Sequence, residues 1–219
     1  MSALVVEAPG LLTTVQDLGR EGFGPMGVSP SGAADGVSLR IGNRLVGNPE
    51  GAAALETTLL GGAFRFERSA VIAVTGADFG PSLDGVAVAM WTSVEIQEGQ
   101  TLTLGPSRSG ARAYLCVQGG IAVEHFLGSA STHVLSGLGG FEGRALRKGD
   151  RVGLGAADSL FRKSWLSPAH RRGHRPRLPV WPPCLRPLRR RPQVGRPCRH
   201  RCPTRPRTCP SSAASHGSR

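Results

Sequence analysis

Short apolar stretches separated by glycines run through the first 155 residues of the chain. This spacing is typical of an all-β or β-rich domain rather than of alternating strands and helices. In residues 63–67 two phenylalanines alternate with polar positions, and residues 71–74 are apolar throughout, which indicates a central strand covered on both faces. The pattern predicts strands at residues 4–7, 55–60, 63–67, 71–75, 86–91, 101–104, 111–117 and 150–154.

Residues 35–48 break this pattern, because apolar side chains recur at positions 37, 41 and 45, with positions 39 and 46 alongside. Asp35 is placed to cap the start of a helix, Gly47 to end it, and Pro49 to prevent its continuation. The sequence therefore predicts a mainly β domain with one or two helices, in which a helix of about three turns packs across a barrel or sandwich.

The charge of the chain changes abruptly near residue 160. Residues 1–160 hold 11 basic and 15 acidic residues, a net charge of −4, whereas residues 161–219 hold 16 basic and no acidic residues, a net charge of +16. We therefore expect a folded domain over residues 1–158 and a disordered Arg/Pro-rich tail over residues 159–219. The strongly basic balance of the chain belongs to the tail alone.

The origin of the tail has three readings. Sequence-blind nucleic-acid binding fits its arginines, and zinc binding would use its cysteines and histidine, although their gaps do not match a known zinc module. A frameshift near residue 160 fits best, since arginine, proline and cysteine are common when GC-rich DNA is read out of frame. We therefore expect the domain to be truncated.

The first residues and the cysteines point to a cytoplasmic protein. Glu7 and Pro9 arrive too early for a secretory signal, and no apolar run is long enough to span a membrane. Cys116 is the one cysteine before residue 160, lies in an apolar run and has no partner there, which fits a buried thiol in a reducing compartment.

Several common sites are excluded by spacing. The two lysines, Lys148 and Lys163, both lack the glycine-rich setting of a nucleotide-binding P-loop and the methionine-flanked hairpin that accepts biotin. The glycines at 137–143 do not have the spacing of a dinucleotide fingerprint, and no nucleophile elbow is present. We also predict no metal site.

Polar side chains in glycine-bearing loops are the remaining candidates. Asp78 follows the buried strand, where it is either a base or an ordinary turn residue, and Glu56 either reaches a site or faces water. Ser29 and Ser31 precede the helix and either hold an anion or extend its cap. Candidate ligand donors, with a solvated loop as the alternative for the last group, are Gly119, Gly120, Ser129, Ser131, Thr132 and His133.

These segments together resemble one family. Eight motifs in register, among them Thr-Gly-Ala-Asp at 75–78, are similar to the biotin-dependent carboxyltransferase family, which includes the C subunit of 5-oxoprolinase, allophanate hydrolase subunit 2 and the carboxyltransferase part of urea amidolyase. The eight motifs occupy residues 10–20, 27–35, 43–49, 55–59, 75–78, 114–121, 127–132 and 143–150.

The resemblance implies a cyclophilin-like β-barrel lobe that works with a B-like partner protein and a larger A-like protein. The implied reaction is the ATP-dependent opening of the 5-oxoproline lactam to glutamate, with ATP used by the complex and biotin not attached to this chain. An amide must be activated before water can open it, which needs oxyanion donors and a base. Asp78 and Glu56 are then the expected acid–base residues, with the loop donors binding substrate.

Truncation is expected to impair this activity, because members of the family continue well beyond the point where the resemblance fades, near Ser159. A non-catalytic regulator that binds a kinase inhibitor through the same barrel is the alternative within the family.

Overall fold

A computed structural model describes residues 3–156, and within that range it contains twelve β-strands, one α-helix and two single-turn 3-10 helices, Gly24–Met26 and Val134–Ser136. The α-helix, α1, spans Gly36–Leu45. The strands are β1 (Ala3–Ala8), β2 (Leu12–Gln16), β3 (Ala54–Thr58), β4 (Ala63–Phe66), β5 (Ala70–Asp78), β6 (Ser82–Leu83), β7 (Val86–Ala87), β8 (Ser93–Ile96), β9 (Thr101–Thr103), β10 (Ser109–Val117), β11 (Ile121–Ala122) and β12 (Arg151–Leu154).

The strands form two antiparallel sheets. One has seven strands in the order β11-β12-β1-β4-β9-β6-β7, and the other has five in the order β2-β3-β10-β5-β8. Apolar side chains of both sheets meet in one core, among them Phe64 and Phe66 from the first sheet and Leu55, Ile72 and Leu115 from the second. The predicted mainly β fold with one helix is confirmed.

The outer face of the five-stranded sheet is covered by α1. A second, smaller core lies there and contains Leu39 and Val46 from the helix side with Ala73, Tyr114 and Cys116 from the sheet. Both faces of β5 are therefore packed, as its unbroken apolar run indicated, and Cys116 is a free, buried thiol.

The ends of α1 match the prediction. The Asp35 side chain accepts a hydrogen bond from the Ser38 amide at 3.0 Å, which caps the first turn. At the other end the Gly47 amide donates to the Arg44 carbonyl and the Asn48 amide to the Asn43 carbonyl, at 3.1 and 2.8 Å. These two bonds form a Schellman motif, and Gly47 adopts the left-handed conformation that the motif requires, with φ +77°.

The buried face of α1 differs from the apolar periodicity. Val37 and Ile41 are exposed, whereas Ser38, Leu39 and Gly42 face the sheet. The physical reason is close approach: a Cβ on Gly42 would lie 2.6 Å from the Cys116 sulfur and 2.8 Å from the Thr75 hydroxyl oxygen. The absence of a side chain at Gly42 lets the helix come near the sheet, and a larger residue at this position would hold it away.

The prediction for residues 86–91 was wrong beyond Ala87, because only Val86–Ala87 is a strand, in a hairpin with β6, and the chain then bends to Trp91, whose φ is +61°. Strands β2, β6, β8 and β11 were not predicted. No helix among the residues described has the length and apolar character needed to cross a membrane. The expected boundary near residue 158 and the tail at 159–219 lie outside the described residues.

Candidate functional site

The sheet register groups most of the predicted site residues at one end of the five-stranded sheet. Gln16 at the end of β2 pairs with Ala54, and Leu55 pairs with Leu115, so the loops that follow β2 and β10 lie at the same end. Asp78 pairs with Ser109, where β10 begins, and therefore lies at the opposite end. The structure thus separates Asp78 from the serine-rich loops.

A buried carboxylate, that of Asp17, organises the serine-rich loops. Asp17 is 7% exposed and follows β2. Its Oδ1 accepts from the Gly19 amide at 2.7 Å and from the hydroxyls of Ser129 and Ser131, and its Oδ2 accepts from the Ala130 amide at 2.6 Å. Burial raises the pKa of this carboxyl, but the four hydrogen bonds outweigh burial and hold the pKa below its ordinary value.

A buried guanidinium, that of Arg20, connects the serine-rich loop at 128–133 to the loop before α1. Arg20 is 2% exposed and donates to the Ser131 carbonyl, to the Ser29 carbonyl at 3.5 Å and to the Ser31 hydroxyl at 3.4 Å. Its charge also lies 5.4 Å from the centre of the Phe126 ring, a cation–π contact. We call Asp17, Arg20, Ser129 and Ser131 the Asp17 network.

The sequence analysis missed Asp17 and Arg20, although they stand within one of the motifs that carried the resemblance. The signal was the run of β-branched residues at 13–15, between Leu12 and Gln16, which is strand β2. A predicted strand there would have placed Asp17 and Arg20 in the loop at a strand end, where polar side chains converge.

The predicted donor hydroxyls of the 128–133 loop point into the protein. Ser129 and Ser131 donate to Asp17, and Thr132 donates to the Val15 carbonyl at 2.9 Å. Their hydroxyl protons are therefore committed to internal acceptors. A role for these three residues in binding substrate stays a prediction.

Ser29 and Ser31 have a different setting from the other serines. Both are half-buried, and their hydroxyl oxygens accept bonds from the Ser31 amide and from Arg20. Within residues 3–156 neither hydroxyl donates to the protein. These two protons remain available for a ligand, consistent with the anion-binding alternative for this loop.

Glu56 lies on the helix-facing side of β3 and is 4% exposed. Its Oε2 accepts from the Tyr114 hydroxyl and the Ala34 amide, and its Oε1 accepts from Arg112, each at 2.8 Å. Tyr114 in turn accepts from the Asp35 amide at 2.7 Å. We call Glu56, Arg112 and Tyr114 the Glu56 network, and it fastens the loop before α1 to the sheet.

The amides of Gly119 and Gly120 are also used internally. The Gly119 amide donates to Asn48 Oδ1 and the Gly120 amide to the Val117 carbonyl, both at 2.8 Å. A Cβ on Gly119 would lie 2.5 Å from the Gly155 carbonyl oxygen. Gly119 therefore lies close to another backbone segment, one of the two alternatives, and a role for both glycines in binding a ligand stays a prediction.

Asp78 ends β5 beside a surface cavity of about 390 Å³. Its Oδ1 accepts from the Gly80 amide at 2.8 Å, an ordinary turn contact, and the residue is half-buried. Arg108, Trp91 and Met90 also line the cavity. Asp78 therefore stabilises a turn and also borders a cavity, whereas Glu56 is buried and borders none of that cavity.

The chain is similar to proteins of one kind. A family model described as carboxyltransferase domain, subdomain A and B, matches residues 26–184. The 5-oxoprolinase C subunit of Escherichia coli is 47% identical over 146 residues, which cover 67% of this chain and 47% of that protein. Urea amidolyase of Saccharomyces cerevisiae is 43% identical over 150 residues, which cover 68% of this chain and 8% of that protein.

Solved structures agree with this result. The crystal structure of Kluyveromyces lactis urea amidolyase superposes with a TM-score of 0.68 at 42% identity, over 69% of this chain and 9% of that chain. The chain thus spans about half the length of the bacterial relative and a small part of the yeast proteins.

Proposed function

Because the chain belongs to the carboxyltransferase domain family, subdomain A and B, we propose that it is a subunit of an ATP-dependent amide hydrolase of the 5-oxoprolinase type. The observation that carries this proposal is the 47% identity to the 5-oxoprolinase C subunit of Escherichia coli over 146 residues. Together with a B-like partner protein and a larger A-like protein, it opens 5-oxoproline to glutamate in the cytoplasm.

We assign the acid–base role to Asp78 rather than to Glu56. Opening a lactam needs a carboxylate that can reach the amide or its attacking water. All three hydrogen bonds to Glu56 come from the protein, and breaking them would release the loop before α1. Within residues 3–156 the Asp78 carboxylate receives one hydrogen bond, from Gly80, and it borders a cavity.

Ser29 and Ser31 provide hydrogen-bond donors for a second ligand, because their hydroxyl protons have no acceptor within residues 3–156. They lie at the end of the sheet opposite to Asp78. We therefore assign the two regions to different parts of the complex, with the partner proteins completing each.

The residues described here do not fit ATP. A triphosphate site needs backbone amides and a cation aimed at the phosphates. Lys148, the only lysine within residues 3–156, is exposed in a turn without a glycine-rich phosphate loop. We assign ATP to the larger A-like protein and no biotin to this chain.

Reconstitution tests the proposal. The 219-residue chain is co-expressed with the B-like partner, combined with the larger A-like protein, and assayed for 5-oxoproline-dependent ATP hydrolysis and glutamate formation. We expect a stable complex with 5-oxoproline-dependent turnover. Asp78→Asn should lower turnover at least tenfold, and Glu95→Gln, an exposed carboxylate in β8, should leave it unchanged.

The outcomes separate the alternatives. A complex that forms but shows no turnover above background supports the regulator that binds a kinase inhibitor through the same lobe. Failure to form any complex contradicts membership in a 5-oxoprolinase-type assembly. Full turnover of Asp78→Asn removes Asp78 from the acid–base role and leaves that membership standing.

A further inference from the structure

The cavity at the end of β5 is lined in part by Gly76, which lies against the backbone of Arg112. It is formed where the strand ends at Asp78 and where the segment after β7 bends back over it. Its volume, about 390 Å³, is within the range of cavities that bind small molecules, roughly 300–1,000 Å³. None of the residues of the Asp17 network or the Glu56 network lines it.

Two opposite charges border the cavity without neutralising each other. Asp78 Oδ1 accepts from the Gly80 amide, and within residues 3–156 Oδ2 receives no hydrogen bond. In the same part of the chain the Arg108 guanidinium, which is exposed, makes no ion pair. Both groups can therefore pair with a ligand without breaking an existing ion pair.

The Arg108 guanidinium lies next to the backbone of Gly80. A Cβ on Gly80 would lie 2.6 Å from the guanidinium carbon of Arg108, so the guanidinium rests against bare backbone. The Arg108 amide also donates to the Asp78 carbonyl at 2.7 Å, which keeps the two residues adjacent along neighbouring segments.

An aromatic side chain completes the cavity in an unusual conformation. Trp91 has φ +61°, in the left-handed region that bulky residues rarely adopt, and its amide donates to the Val74 carbonyl at 2.8 Å. Such conformations concentrate at functional sites, where surrounding structure maintains them. Trp91 and Met90 supply an apolar surface next to the two charges.

We propose that this cavity binds a small molecule that carries a carboxylate and an N–H donor on a short apolar body. Arg108 pairs with the carboxylate, Asp78 Oδ2 accepts the N–H, and Trp91 contacts the apolar body. Both 5-oxoproline and glutamate have this chemistry. The choice of these two probes rests on the proposed function, whereas the placement of the charges does not.

Trp91 allows a direct binding measurement. The chain has three tryptophans, and the double variant W165F/W181F leaves Trp91 as the only one. Titration of this full-length variant with 5-oxoproline, and separately with glutamate, should change the Trp91 emission in a saturable way for at least one of the two. Urea, an amide without a carboxylate, should bind at least tenfold more weakly.

Charge variants test the roles of the two side chains. In the same background, Arg108→Met and Asp78→Asn should each weaken binding at least tenfold, since each removes a charge-assisted hydrogen bond. Arg147→Met and Glu95→Gln, which alter exposed residues outside the cavity, should not change it. Urea unfolding midpoints confirm that each variant is folded, which is expected because Arg108 is exposed and makes no ion pair within residues 3–156.

Three results would each overturn the proposal. The first is equal binding by Arg108→Met and the parent, and the second is equal binding of urea and the carboxylates. The third is no saturable binding of either carboxylate. Binding without turnover in the reconstituted complex leaves this site intact and contradicts the proposed reaction. Turnover in the reconstituted complex without saturable binding at this cavity supports the proposed reaction and contradicts the proposed binding site.

Discussion

The carboxylates along the five-stranded sheet differ in the number of hydrogen bonds that they accept from the protein. At one end Asp17 accepts four hydrogen bonds from two loops, and in the middle of β3 Glu56 accepts three. At the other end Asp78 accepts one and borders a cavity. A carboxylate surrounded by internal donors stabilises the loops that supply them, while one with an unused oxygen can act on a ligand.

This contrast also separates side chains that stabilise a loop from side chains that can bind a ligand, which a sequence motif does not distinguish. The serines at 129 and 131 lie in one of the motifs that carried the family resemblance, yet their hydroxyls bond to Asp17. A buried polar group left without a partner costs about 1–3 kcal/mol, so a loop rich in serines needs an acceptor of this kind. The hydrogen bonds of Ser129, Ser131 and Thr132 give this motif a role in the folding of the loop.

Removal of Asp17 should have the largest effect. Asp17→Ala leaves two hydroxyls and two amides without an acceptor and should lower the free energy of unfolding by about 3–5 kcal/mol. Urea unfolding followed by circular dichroism measures this change. Glu98→Ala, an exposed residue, is the control and should change it by less than about 0.5 kcal/mol. A loss below about 1 kcal/mol would show that Asp17 does not organise these loops.

Glu56→Gln should have an intermediate effect. One amide oxygen can still accept from Tyr114 and Ala34, but the amide nitrogen then faces Arg112. We expect a loss of about 1–2 kcal/mol in urea unfolding. The same substitution in an Arg112→Met background should cost less, because the repulsion between donors is gone. Equal costs in the two backgrounds would contradict the ion-pair role of Glu56.

The stability of the Asp17 network should depend on acid pH. The folded-state pKa of Asp17 lies below its ordinary value of 3.8, so this carboxylate contributes stability that is fully present above that pH and is lost as the pH falls through the folded-state pKa. Asp17→Asn should therefore flatten the fall in stability below pH 3.8, by no more than about 1.4 kcal/mol per pH unit. Unfolding midpoints between about pH 2.5 and about pH 5 measure both slopes. Parallel slopes would contradict the shift, and Glu98→Gln serves as the reference.

Asp78→Asn should have the smallest effect on stability, below about 0.5 kcal/mol, because the amide oxygen can still accept from Gly80. The same variant should lose ligand binding and turnover, as described above. A large loss of stability with unchanged binding would reverse the comparison and make Asp78 the structural carboxylate. Urea unfolding of the same protein samples used for the titrations decides between these results.

Much of the fold was predictable because it depends on local patterns. The alternation in residues 63–67, the unbroken apolar run at 71–74 and the cap and terminator of α1 each follow from backbone geometry and side-chain period. Strands of two residues, such as β6 and β11, leave no periodic signal of that kind. The candidate site was predicted less well, because Asp78 and Arg108 meet only through the pairing of β5 with β10.

The sequence by itself determined the β-rich class, the position and ends of the single α-helix among the residues described and the family, since strand period, capping residues and motif order are properties of neighbouring positions along the chain. Only the tertiary structure decided which face of α1 packs. That face includes Gly42, because a Cβ at this position would lie only 2.6 Å from the Cys116 sulfur. It also decided which carboxylates are enclosed by donors and which borders a cavity. Hydrogen-bond partners far apart in the chain, such as Asp17 and Ser131, come together only when the sheets form.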